Sequence, residues 1–234
     1  MLPGEASVGN APPDAAFGPD YYRTVYRHYE RQNPSYKRAF YRNFILKHAG
    51  AQPARMLDVG CAFGGFLASM PEAWDRSGID ISSFAIRHAA EAHPELHVAA
   101  ATLDNNPFPG PFDVVTSFDV IEHIDNLENV AASITSLLKP GGLFVFVVPT
   151  YDGPFGPIVH LLDHDPTHIH KTNRKFWLDW AGRHFNIEEW IGVFRILPPV
   201  GPYVHVPTRA LRSISPAIMV AARTRGTEGA RPGS

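Results

Sequence analysis

Twelve consecutive residues, Met56-Leu57-Asp58-Val59-Gly60-Cys61-Ala62-Phe63-Gly64-Gly65-Phe66-Leu67, constrain this chain more than any other stretch. An apolar strand pattern runs straight into small residues and then into a helical pattern. Small residues there let a ligand approach the backbone, and N–H groups at the start of a helix offer it donors. Asp80 stands twenty residues after Gly60, at the end of the next apolar run. A carboxylate so placed accepts hydrogen bonds from both hydroxyls of a ribose. Strand, small-residue turn, helix and distant Asp together describe a nucleoside-binding crevice.

A nicotinamide or flavin dinucleotide uses the same geometry, so the choice of cofactor rests on details. The glycine pattern reads Gly60-x-Ala62-x-x-Gly65, and the Ala62 methyl sits where a dinucleotide site wants bare backbone against the pyrophosphate. Asp58, two residues before Gly60, puts a carboxylate at the mouth of the crevice. There it repels pyrophosphate and suits a ligand carrying an ammonium and a sulfonium. S-adenosylmethionine carries both.

From Arg55 onward short apolar runs alternate with helical stretches, the signature of a parallel sheet covered on both faces. Strands are expected at Arg55–Val59, Gly78–Ile81, His97–Ala100, Phe112–Phe118 and Leu143–Val148, with helices starting near Gly64, Ser83 and Asn126. Pro140-Gly141-Gly142 makes a tight turn into the fifth strand. An irregular stretch rich in Pro and His follows, Pro149 to Thr172, then a helix at Asn173–Gly182 and a strand at Phe185–Phe194. Pro198, Pro199 and Pro202 force a loop, and Ala217–Ala222 offers a last short strand. Ahead of this domain, Tyr22, Tyr26, Tyr29, Phe40 and Phe44 recur at helical spacing, predicting two helices broken at Asn33-Pro34. The expected organisation is a tail over residues 1–20, a helical cap over 21–50, the α/β domain over 51–224 with an acceptor-side insertion at about 149–172, and a second tail over 225–234.

Composition narrows the partners. Lys plus Arg total 21 against 23 Asp plus Glu, a net charge of -2, which gives no global field to attract a polyanion. Nucleic acid is therefore not an expected partner. Cys61 is the one cysteine, so no intrachain disulfide forms, in keeping with a reducing cytoplasm. The first twenty residues lack both a basic start and an apolar run, and no uncharged apolar stretch reaches the roughly 18 residues of a membrane span. A cytoplasmic monomer or homodimer acting on a small molecule, away from membranes, is expected.

With these residues in view, the chain resembles the class I S-adenosylmethionine-dependent methyltransferases, in a small-molecule branch similar to the ubiquinone-biosynthesis enzymes. Besides the Met56–Leu67 segment, the resemblance rests on Phe112–Ile124, which looks like the fourth strand and following loop of that family. Leu138-Lys139-Pro140-Gly141-Gly142-Leu143 resembles the turn into its fifth strand, and Asp165-Pro166-Thr167-His168-Ile169 resembles a segment lying over the acceptor site of many relatives. The likeness spans about Arg55 to Phe194. It implies a Rossmann-like, doubly wound, mostly parallel seven-stranded sheet, with S-adenosylmethionine as cofactor and S-adenosylhomocysteine as product. It further implies Asp58, Gly60, Cys61 and Gly64 around the methionine moiety, Asp80 and Ile81 at the ribose and adenine, and Ser117 to Asp119 beside the cofactor. Two departures stand out: Ala62 replaces a usual Gly, and Thr102 stands where an acidic residue often meets the adenine amino group, a contact left to Leu103 or Asp104.

Methyl transfer is an in-line displacement, and alignment in a dry pocket contributes roughly 7–11 kcal/mol. A base is needed when the nucleophile is a hydroxyl that must shed its proton early. His160, His164, His168 and His170 crowd the segment after the fifth strand. His168 or His170 is the expected base or hydrogen-bonding partner of the acceptor, with His123 as a further candidate near the crevice. The plainer alternative is that these imidazoles bond backbone carbonyls of an irregular loop, and that Glu122 and Asp125 are solvated loop carboxylates. His160, Asp163, His164, Asp165, His168 and His170 include good metal ligands, but their spacing fits no metal motif, and no metal is expected. Competing functions are methylation of RNA or protein, a nicotinamide-dependent oxidoreductase, and a catalytically silent cofactor-binding domain whose crevice Phe63 or Phe66 would block.

Overall fold

Side-chain oxygens start the helices that cover the sheet. Ser82 accepts from the Ala85 amide, Asn126 from Asn129 and Asn173 from Phe176, satisfying N–H groups that a helix start leaves without partners. In the computed structural model, which describes residues 29–163, 165, 167–196 and 202–225, the helices are α1 (Tyr29–Gln32), α2 (Ser35–Ala49), α3 (Gly65–Ala68), α4 (Ser83–Ala92), α5 (Leu127–Leu137), α6 (Gly156–Leu162) and α7 (Arg174–His184). The strands are β1 (Arg55–Val59), β2 (Asp75–Asp80), β3 (His97–Ala100), β4 (Phe112–Phe118), β5 (Leu138–Pro149), β6 (Phe185–Ile196), β7 (Val204–Thr208) and β8 (Ala217–Thr224). They form one sheet in the order β3-β2-β1-β4-β5-β8-β6-β7. The pairs from β3 through β5 are parallel, whereas β8 joins β5 and β6, and β7 joins β6, antiparallel.

Alternation along the strands feeds two apolar layers, one on each face. Leu57, Phe144 and Phe146 pack with Trp177, Trp180 and Phe185 on one side, while Met56, Val145 and Val147 pack with Tyr41, Phe44 and Leu67 on the other. Trp180 is fully buried and donates its Nε1–H to the Leu127 carbonyl at 3.2 Å, tying α7 to α5. Strand order reverses between β1 and β4. Their carboxyl ends therefore diverge into a crevice, the place where open α/β sheets bind ligands.

The structure departs from the sequence reading in four places. The sheet has eight strands rather than seven, because Val204–Thr208 pairs with Gly192–Ile196 at the sheet edge where a loop was expected. Pro207 is tolerated there because an edge strand has one side free of ladder bonds. The helix near Gly64 lasts four residues, since Pro71 soon follows and a proline bars continuation. The stretch after β5 is not wholly irregular and contains α6. Finally, β2 starts at Asp75 and β5 at Leu138, earlier than their apolar runs suggest. The Asn33-Pro34 break falls between α1 and α2, whereas Tyr22, Tyr26 and the expected tails, apart from Arg225, lie outside the described residues. Among those residues no helix is long and apolar enough to cross a membrane.

Candidate functional site

The turn after β1 is held against β2 by its own backbone: the Gly60 and Cys61 amides both donate to the Ile79 carbonyl, at 2.8 and 3.0 Å. Gly60 has φ +80°, and a side chain there would overlap Val120 Cγ2, so only glycine fits. Ala62 also lies in the left-handed region, with φ +47°. A non-glycine residue pays about 1 kcal/mol for that conformation. Ala62→Gly is accordingly expected to raise the melting temperature by about 2–4 °C. A lowered melting temperature would show that the Ala62 methyl makes compensating contacts.

Asp80, at the end of β2, fixes this turn. Its Oδ2 accepts the Ala62 amide and its Oδ1 the Ser82 amide, both at 2.9 Å. Burial pushes its carboxyl above the usual range, and the two amides oppose the rise. Asp58, on β1, is also buried and accepts the Thr116 hydroxyl at 2.6 Å. Burial pushes the Asp58 carboxyl up to about 7, against the Thr116 bond and with help from the Asp80 charge.

Both carboxylates face a cavity of about 1120 Å³ at the crevice, whose wall also includes Gly60, Cys61, Ile81, Leu103, Asp104, Phe118, Asp119, His123 and His168. Of the residues given a cofactor or acceptor role from the sequence, Gly64, Ser117 and His170 are not on this wall. Gly64 supports the start of α3 with φ +73°, and Ser117 is fully buried within β4. His170 Nε2 meets the Ile124 carbonyl at 2.9 Å, the plainer role weighed for these imidazoles. Phe63 turns onto Tyr29, with ring centroids 4.6 Å apart, and is absent from the wall. Phe66 is part of it, and the cavity stands open beside it.

At the far end of the cavity the histidines are oriented by their neighbours. His168 Nδ1 lies 2.9 Å from Asp163 Oδ1, so it donates there, and Nε2 becomes the ring's acceptor. Tyr151 and Lys171 also donate to Asp163, and these bonds hold its carboxyl well below the usual range despite burial. Thr167 gives its hydroxyl proton to Asp165, so His123 Nδ1 must donate to the Thr167 carbonyl at 3.0 Å, again leaving Nε2 as acceptor. Burial lowers the His123 pKa, and the neighbouring His168 lowers it further.

Glu122 departs from the expected solvated loop carboxylate. It is fully buried, neither carboxyl oxygen has a hydrogen-bond partner among the described residues, and burial drives its pKa well above the carboxylate range. One ligand-type atom from each of Glu122, His123 and His168 lies within 4.8 Å of the others. Of the six metal-ligand candidates named from the sequence, only His168 belongs to this group, and His164 lies outside the described residues. Sequence spacing had no means of finding the cluster, because its members come from the turn Ile121–His123 and from a segment more than forty residues later.

Comparison with known proteins decides the family. A family profile described as "Methyltransferase domain" matches residues 26–195. The chain belongs to that family, the class I S-adenosylmethionine-dependent methyltransferases. A ubiquinone biosynthesis O-methyltransferase of Albidiferax ferrireducens is 38% identical over 116 residues, covering 44% of this chain and 43% of that protein. The chain thus spans less than half the length of this curated relative. Among solved structures, a Thermotoga maritima S-adenosylmethionine-dependent methyltransferase, described as a possible histamine N-methyltransferase, shares the fold with a TM-score of 0.61 at 15% identity, over 87% of this chain and 97% of that one. The N-methyltransferase NodS of Bradyrhizobium japonicum, in complex with S-adenosylhomocysteine, gives 0.59 at 13% identity over 87% and 97%.

Proposed function

We propose that this methyltransferase moves the methyl group of S-adenosylmethionine to a hydroxyl of a small organic acceptor, with His168 as general base. The observation that carries this reading is the placement of the Asp163-oriented His168 in the same cavity as Asp58 and Asp80. Asp80 takes the ribose hydroxyls through the oxygen lone pairs that Ala62 and Ser82 leave open, and Asp58 takes the ammonium of the methionine moiety. When bound, the cofactor would supply a methyl group on a sulfonium, whose sulfur would keep the electron pair of the broken bond as the acceptor oxygen takes the methyl, and His168 Nε2 would receive the proton that the acceptor hydroxyl loses. Asp163 stabilises the imidazolium that results. The relative of Albidiferax ferrireducens, named as an O-methyltransferase, supports oxygen as the acceptor atom. Incubation with methyl-labelled cofactor and a panel of hydroxyl-bearing ring compounds tests the reading. Label on a hydroxyl supports it, and label only on nitrogen or carbon overturns it.

Asp58 makes cofactor binding pH-dependent with a definite sign. Without ligand its carboxyl takes up a proton near pH 7, whereas the cofactor's ammonium favours the ionised form, so binding below that point must first expel the proton. Affinity for S-adenosylhomocysteine is expected to fall as pH drops through about 7, by at most about tenfold per unit. Calorimetry from about pH 8 to about pH 5.5 reads this directly. A flat profile would remove Asp58 from contact with the ammonium.

A second reading is favoured by the two oxygens of Glu122, which have no hydrogen bond among the described residues and one of which lies 3.9 Å from His168 Nε2. Glu122, His123 and His168 would together hold a divalent cation, which would supply Lewis-acid polarisation to the acceptor oxygen. Dialysis against a chelator separates the two: retained turnover supports the free imidazole base, and loss restored by a divalent cation supports the metal.

A further inference from the structure

Lys37 is the anomaly of this cavity. It sits on α2, is 8% exposed and lines the cavity wall. Its Nζ is held by neutral groups, the Gln32 carbonyl at 3.3 Å and Asn33 Oδ1 at 3.0 Å, and lies over the Tyr203 ring at 5.3 Å. Among the described residues no carboxylate lies within ion-pair distance of it. The carboxylate that acts on it is Asp119, and Asp119 is already engaged by Arg195 from β6. Arg195 thus holds the carboxylate that acts on Lys37, and Lys37 has no ion-pair partner of its own among the described residues. Burying an ammonium that lacks an ion-pair partner is costly and lowers the Lys37 pKa to about 8, and an anion entering the cavity would offset that cost.

We propose that the acceptor carries an anionic group, a carboxylate, which docks between Lys37 and Arg195 and directs the rest of the molecule towards His168. This rests on the methyltransferase reading above and names the class of molecule that its acceptor site takes. The position fits: Asp119 is acted on by Arg195, Lys37 and His168 together, so cations and imidazole share one neighbourhood. The rings of Phe118 and Tyr203 are part of the same wall, with Lys37 Nζ 5.3 Å from the Tyr203 ring, and suit a flat, ring-bearing scaffold. The one other carboxylate that enters the cavity is that of the cofactor itself. Against it, the charges that act most on Lys37 are those of Asp119 and Arg195, not those of Asp58 and Asp80 at the cofactor end.

Benzoate and benzamide, near-isosteres that differ in charge, test this by calorimetry on the full chain saturated with S-adenosylhomocysteine. Benzoate is expected to bind at least about tenfold more tightly than benzamide, the worth of a charge-assisted contact. The preference should vanish in Lys37→Met and survive in Lys37→Arg, with cofactor affinity unchanged in both. Equal affinity of the two compounds, or binding of neither, overturns the proposal. So does a Lys37→Met variant that loses S-adenosylhomocysteine while keeping the benzoate preference, because the cofactor carboxylate would then be the partner. The wild-type comparison needs no variant and decides the matter even if Lys37→Met fails to fold. Absence of any S-adenosylhomocysteine binding would instead strike at the methyltransferase reading itself.

Discussion

His168→Ala is expected to lower kcat by about 10²–10⁴-fold, the usual worth of a positioned base, while S-adenosylhomocysteine affinity stays within about twofold. The split follows from the geometry. His168 is held by Asp163, on the segment after β5, and makes no hydrogen bond with the turn that grips Asp80. Removing the imidazole takes away a proton acceptor but no cofactor contact. Added imidazole should restore part of the lost rate, which a purely structural role would not allow. Asp163→Asn should act in the same direction, since Asp163 fixes the His168 tautomer and also receives Tyr151 and Lys171. Unchanged kcat in His168→Ala would end the base assignment and leave His123 as the remaining candidate on the cavity wall.

Asp80→Ala addresses the other end of the cavity and is expected to weaken S-adenosylhomocysteine binding about a hundredfold, by loss of charge-assisted bonds to two ribose hydroxyls. The variant also strips the Ala62 and Ser82 amides of their acceptor, so a lower melting temperature should accompany the effect. Asp80→Asn keeps one acceptor oxygen and should lose only about tenfold. Cofactor affinity within about threefold of wild type in Asp80→Ala, with the fold intact by circular dichroism, would rule out the ribose contact.

The parallel half of the sheet was most legible at β1, β4 and the Leu143–Val148 part of β5, which are largely buried and read as mostly apolar runs. Asp58 and Asp80 were legible for a related reason: their distances from Gly60 are set by one strand–turn–helix–strand unit. Val204–Thr208 escaped notice because prolines precede it and Pro207 interrupts it, features that only an edge position excuses. Glu122 looked like a loop carboxylate because sequence carries no record of burial without partners. Lys37 and Arg195 belong to no motif in the sequence, and only the folded chain, with Arg195 opposite His205 in the β6–β7 pairing, brings them to one cavity.

That last pairing has an evolutionary consequence. The strands bearing Asp58 and Asp80 lie in the parallel half of the sheet, whereas Arg195 lies on β6 and Tyr203 just ahead of β7, at the antiparallel end. Substitutions at that end leave the parallel strands untouched, so on the proposed reading a lineage could exchange one recipient molecule for another there while the half assigned to the methyl donor passes on unaltered.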